Sequence, residues 1–160
     1  YTRLSAKGQS MSEVRFYHLT TQSLEQALPA ILSKALAGGR KAVVRFASDK
    51  DATHFNDHLW TYNPDSFLPH GIKADGFSDQ QPVYLTAANE NPNGADMLVL
   101  CNAQAVPENI ADFTLCCDFL DGGDDEAVEA GRARWKEYKA AGHSITYWQQ
   151  TESGGWEQKA

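Results

Sequence analysis

The chain has 160 residues, 42% of them hydrophobic and 22% charged, with 14 Lys and Arg against 21 Asp and Glu and a formal net charge of -7. That length fits one domain able to bury its own core without a disulfide or metal staple, and the composition excludes a disordered chain. The acidic balance excludes gripping nucleic acid by bulk charge alone, because phosphate neutralisation needs clustered cations.

Residues 1–10 lack the apolar core of a signal peptide and read as a leader or tag remnant, with Met11 as the native start. Residues 11–149 read as one α/β domain. Its first strand is expected over 14–19, short, aromatic and apolar. Ser23 and Gln26 have capping-box spacing, and Leu24, Leu28, Ile31, Leu32, Ala35 and Leu36 follow at helical intervals up to Gly38. Pro29 falls inside this pattern and is expected to kink the helix or delay its start.

A second strand is expected over 42–46, then a helix capped by Ser48 and Asp51 and ending near Trp60. A long irregular stretch leads to a third strand at 83–86. The runs 97–101 and 114–119 are apolar throughout, as strands buried on both faces are. Between them, 107–113 is expected to form a short helix. The acids at 124–126 suit the N-terminus of a last helix over 126–141, and Gly142 sits at its C-cap. Residues 145–148 read as an edge strand, and 150–160 as a loosely held tail. Strands alternating with helices predict a Rossmann-like three-layer fold around a mostly parallel sheet of about five strands.

No glycine fingerprint follows the first strand, where the turn reads Thr20-Thr21-Gln22-Ser23, and there is no P-loop. No bound nucleotide or other cofactor is therefore expected. His54 and His58 share a helix face at metal-ligand spacing, but Phe55 stands where a zincin needs Glu, so no metal site is expected. Cys101, Cys116 and Cys117 form no disulfide framework; they read as buried thiols, suited to a reducing cytoplasm. The acids 121–126 lack calcium-loop spacing. No nucleophilic Ser or carboxylate pair supports catalysis.

Two clusters stand out. Arg132, Trp135, Lys136 and Lys139 fall at i, i+3, i+4 and i+7 and share one helix face. That face either grips a carboxylate and an aromatic side chain or is a solvated surface with Trp135 against the sheet. The opposite face, with Ala127, Gly131, Arg134 and Tyr138, is expected to pack on the sheet. The second cluster, Leu59-Trp60 followed by Phe67-Leu68-Pro69-His70, is either core or an apolar patch for a protein partner.

These clusters, with Phe16-Tyr17, Asp118-Phe119 and the run 133–142, resemble the chi subunit family of bacterial DNA polymerase III holoenzyme. The resemblance implies a non-catalytic adaptor of the clamp loader, with a nucleotide-free Rossmann-like fold. It implies two partners: the psi subunit and the acidic C-terminal tail of single-stranded DNA-binding protein, which ends in a Phe carboxylate. Carried over by position, the tail site is Arg132, Trp135 and Lys136, with Leu120 and Ile145 lining a Phe pocket. The psi contact falls on Trp60, Phe67 and Pro69. The rival reading is a small α/β enzyme or nucleotide binder of unassigned chemistry; direct binding of single-stranded DNA to the basic-aromatic helix is a third.

Overall fold

The computed structural model describes residues 12–61, 70–73, 76, 78–101, 106–153 and 155–159. Seven strands form one sheet: β1 (Glu13–Leu19), β2 (Ala42–Arg45), β3 (Val83–Thr86), β4 (Met97–Cys101), β5 (Leu115–Asp121), β6 (Ser144–Gln150) and β7 (Trp156–Gln158). Their order is β3-β2-β4-β5-β1-β6-β7. Every pairing is parallel except that of β7, which runs antiparallel to β6.

Among the described residues three α-helices cover the sheet: α1 (Leu24–Ala37), α2 (Asp49–Thr61) and α3 (Asp125–Ala141). Strand alternation sorts the side chains into two cores. Val44, Val83, Val99, Cys117 and Phe119 pack with Leu28 and Leu32 of α1 and Phe55 and Leu59 of α2. On the opposite face, Val14, Phe16, Leu98, Leu100, Cys116 and Leu120 pack with Tyr138 of α3. The architecture is thus the Rossmann-like three-layer α/β fold expected from the alternation of elements.

The strand count is larger than the five expected. The stretch 150–160, expected to be loosely held, contributes β7 and so converts β6 from an edge strand into an internal one. Trp156 explains the docking: its ring meets Tyr17 edge-on at 4.9 Å and lies 6.3 Å from Phe119. The short helix expected over 107–113 is reduced to a 3-10 turn at Ile110–Asp112.

Helix α1 runs continuously through Pro29 behind a capping box of Ser23 and Gln26. Helix α3 starts at Asp124, whose carboxylate accepts from the backbone N–H groups of Glu126 and Ala127 at 3.0 and 3.3 Å. It ends at Gly142, whose φ of 87° places it in the left-handed region that glycine enters without strain. The acids at 124–126 therefore serve the helix N-terminus, and they fix where α3 begins.

Candidate functional site

An open cavity of about 380 Å³ lies between α3 and the sheet. Phe16 and His18 of β1, Leu120 of β5 and Tyr147 of β6 form its floor, and Val128, Arg132, Trp135 and Lys136 of α3 form its wall. Four of the five residues assigned by position to tail binding, Leu120, Arg132, Trp135 and Lys136, thus meet at one cavity. Ile145 instead packs, partly buried, against the core on the same face.

The α3 register follows from what lies beneath it. Arg134 and Asp118 are 2% and 0% exposed and form a two-pronged pair, Nε to Oδ2 and Nη2 to Oδ1, both at 2.8 Å. The Tyr138 hydroxyl donates to Asp118 Oδ2 at 2.9 Å. Burial works against the Arg134 charge, but the Asp118 carboxylate outweighs it and raises the guanidinium pKa. Burial first, then the Asp118 charge, pushes the Tyr138 phenol far up, so it remains a donor. This face of α3 packs as expected, and Gly131 is buried where an added Cβ would lie 2.9 Å from Leu120 Cδ2. With Arg134 turned inward, the neighbouring residues Arg132, Trp135 and Lys136 line the cavity.

Trp135 is held edge-on against Phe16 at 5.6 Å and Tyr147 at 6.2 Å, so its ring is a fixed wall. Arg132 pairs with Glu129 at 2.9 Å where both side chains are about 70% exposed, a solvent-screened contact that a ligand carboxylate can displace. Lys136 is exposed and makes no ion pair among the described residues. His18 Nδ1 and the Tyr147 hydroxyl are hydrogen-bonded at 2.5 Å across the floor. Burial lowers the His18 pKa, partly opposed by Asp121, and raises that of Tyr147 against the pull of Arg132. The site is therefore an apolar, aromatic slot with exposed cationic side chains at its mouth, chemistry suited to an apolar side chain joined to a carboxylate.

His18, Val128 and Tyr147 were not singled out from sequence. Val128 was within reach, since it lies four residues before Arg132 on the helix, and His18 lies two after Phe16 on the strand. Tyr147 required knowing that β6 pairs with β1, where it sits opposite Phe16.

Trp60 is the one large apolar side chain left exposed among the described residues, at 48%. Its ring lies 4.2 Å from that of buried His70, which contacts the Asn56 carbonyl at 3.0 Å. Phe67 and Pro69 lie outside the described residues. His54 faces Glu25 at 3.6 Å, and no group of three metal-ligating side chains occurs among the described residues. The three cysteines are free and buried; burial raises all three thiols, that of Cys117 to about 12. No helix of the described residues is long and apolar enough to cross a membrane.

The turn after β1, where this kind of fold commonly cradles phosphate, is filled by the protein itself. The Gln150 side-chain oxygen accepts from the backbone N–H groups of Thr20, Thr21 and Gln22 at 3.3, 3.1 and 2.9 Å.

These features define a Rossmann-like α/β domain whose phosphate turn is internally capped and whose aromatic-cationic cavity lies on the sheet's flank. The chain belongs to the DNA polymerase III chi subunit family: the family model, "DNA polymerase III chi subunit, HolC", matches residues 11–146. It is 24% identical over 136 residues to the DNA polymerase III subunit chi of Haemophilus influenzae, covering 82% of this chain and 93% of that one. It is 21% identical over 123 residues to the Escherichia coli protein of the same name, covering 77% and 83%. The "Probable DNA polymerase III subunit chi" of Rickettsia prowazekii is 31% identical over 90 residues, covering 56% of this chain and about half, 54%, of that relative. Membership makes the chain a DNA replication protein of the polymerase III holoenzyme, whose partners include other proteins.

Proposed function

We propose that this chain is a non-catalytic accessory subunit of the clamp-loader assembly, binding the acidic tail of single-stranded DNA-binding protein in the α3 cavity. The observation that carries the reading is the placement of exposed Arg132 and Lys136 at the mouth of a slot lined by Phe16, Leu120 and Trp135. A terminal Phe ring would enter the slot against the edges of Trp135 and Phe16. Its carboxylate would meet Arg132, displacing Glu129, while Lys136 meets the tail's acids. The surface around exposed Trp60, with Phe67 and Pro69, would receive the psi subunit.

The capped turn at Gln150 favours this reading over a nucleotide binder, because the donors a phosphate would need already have an acceptor. The test is titration with a fluorescent peptide copying the tail of the host's single-stranded DNA-binding protein. Arg132→Ala and Lys136→Ala are each expected to weaken binding about tenfold or more, as is amidation of the last Phe. Binding should also fall as salt rises. Unchanged affinity in both variants would remove the assignment. A thermal shift with nucleotide and none with the peptide would reverse it in favour of the rival. For psi, Trp60→Ala should abolish co-purification of a co-expressed psi subunit while leaving peptide affinity intact.

A further inference from the structure

The side chains of β1 alternate between the two faces, so the strand whose Phe16 and His18 floor the α3 cavity turns Arg15 and Tyr17 to the other side. There they line a second open cavity, of about 420 Å³, between α1 and the sheet. Its apolar surface includes Ile31, Met97 and Leu115, and Trp156 of β7 stands at one end beside Tyr17. Three of the chain's 14 Lys and Arg, Arg15, Lys34 and Arg40, surround it. Glu13 pairs with Arg15 at 2.5 Å and Asp96 with Arg40 at 3.1 Å, whereas Lys34 makes no ion pair among the described residues. Trp156 lies beyond residues 11–146, the part of the chain matched by the family model.

We infer that the α1 cavity is a second, weaker binding site for an acidic peptide with an aromatic end. This rests on the reading that the protein captures such peptides. The argument is chemical likeness and charge complementarity. Both cavities join an aromatic apolar surface to cations, Arg132 and Lys136 of α3 at the first and Lys34 of α1, Arg15 of β1 and Arg40 of the loop after α1 at the second, in a protein whose net charge of -7 offers an anion few such places. The α1 site is the weaker because two of its three cations already hold carboxylates, leaving Lys34 to meet the ligand. It offers no covalent chemistry, since Cys117 in its wall is 2% exposed.

The two sites carry separate reporters, the indole N–H of Trp135 and that of Trp156, which NMR resolves after assignment with single Trp→Phe variants. In a titration of the full chain with the tail peptide, Trp135 should saturate first and Trp156 at about tenfold higher peptide. Lys34→Glu should abolish the Trp156 response and leave the Trp135 curve unchanged. Lys34 is exposed on α1, so the reversal leaves the fold intact, and Ala30→Glu on the same exposed wall should act alike. Movement of Trp135 alone, or a Trp156 response that survives both variants, overturns the second site and spares the first. Movement of Trp156 alone upholds the α1 site and overturns the α3 assignment. Silence at both overturns both.

Discussion

His58 Nε2 lies 2.7 Å from the backbone carbonyl oxygen of Glu25, the acceptor that Pro29 leaves unserved. A helix carbonyl at position i is normally paired with the N–H at i+4, and proline has none. Helix α1 continues through Pro29 because α2 supplies the missing donor. The His54/His58 pair, whose spacing could hold a metal but whose sequence context led to no metal site being expected, thus has a structural use for its second member.

A double-mutant cycle checks this pairing. His58→Ala should destabilise the chain by about 1–2 kcal/mol, the cost of an orphaned carbonyl in a partly buried contact. In a Pro29→Ala background the new N–H at position 29 can reach the Glu25 carbonyl, so the same His58→Ala change should cost less. Urea denaturation of the four proteins measures the coupling. Strict additivity would show that His58 does not serve this carbonyl.

Arg132 and Arg134 are two residues apart and should behave oppositely. Arg134 sits at 2% exposure on Asp118, while Arg132 makes a solvent-screened contact with Glu129. Removing one partner of a buried pair strands the other, so Asp118→Ala should cost about 3–5 kcal/mol. Arg132→Ala should stay within about 0.5 kcal/mol while losing peptide binding. Equal stability losses would mean that the α3 face is read in the wrong register.

The features legible in sequence were those with local signals. Hydrophobic periodicity, the Ser23 capping box and the Asp124 and Gly142 helix ends place α1 and α3 to within a residue or two. The i, i+3, i+4 spacing likewise brings Arg132, Trp135 and Lys136 to one cavity. The illegible features were pairings between side chains and distant backbone. Gln150 meets the turn after β1 across about 130 residues, and His58 meets Glu25 across 33. β7 is three residues long, and its place depends on Trp156 finding Tyr17. No local pattern encodes such contacts.

The Gln150 contact carries its own prediction. One amide oxygen serves three backbone donors, and the Gln150 amide nitrogen donates to Gln22 Oε1 at 2.7 Å. Gln150→Ala should therefore cost about 1–3 kcal/mol and speed hydrogen exchange at Thr20, Thr21 and Gln22. Gln150→Glu keeps an acceptor, a charged one facing a nest of N–H groups, and should lose less. If Glu proves as damaging as Ala, the acceptor role is wrong.

Acidification should move stability and binding in opposite directions. Burial holds the His18 and His143 pKa values below the ordinary 6.5, and Ser12 N–H donates to His143 Nδ1 at 3.0 Å, a bond that requires that nitrogen unprotonated. As pH falls below about 6.5 the unfolded chain takes up protons that the folded one refuses, so stability drops; above that range these two groups leave it flat. Urea midpoints across pH 7.5 to 5.5 should decline, and the decline should shrink in the His18→Asn, His143→Asn double variant. In the α3 cavity, however, a protonated His18 adds a cation beside Arg132 and Lys136, while the carboxylates of an acidic tail stay ionised above about pH 5. Peptide affinity should therefore rise over the pH range in which stability falls, and His18→Asn should flatten that rise. Affinity that declines in step with stability would mean that His18 does not face the bound tail.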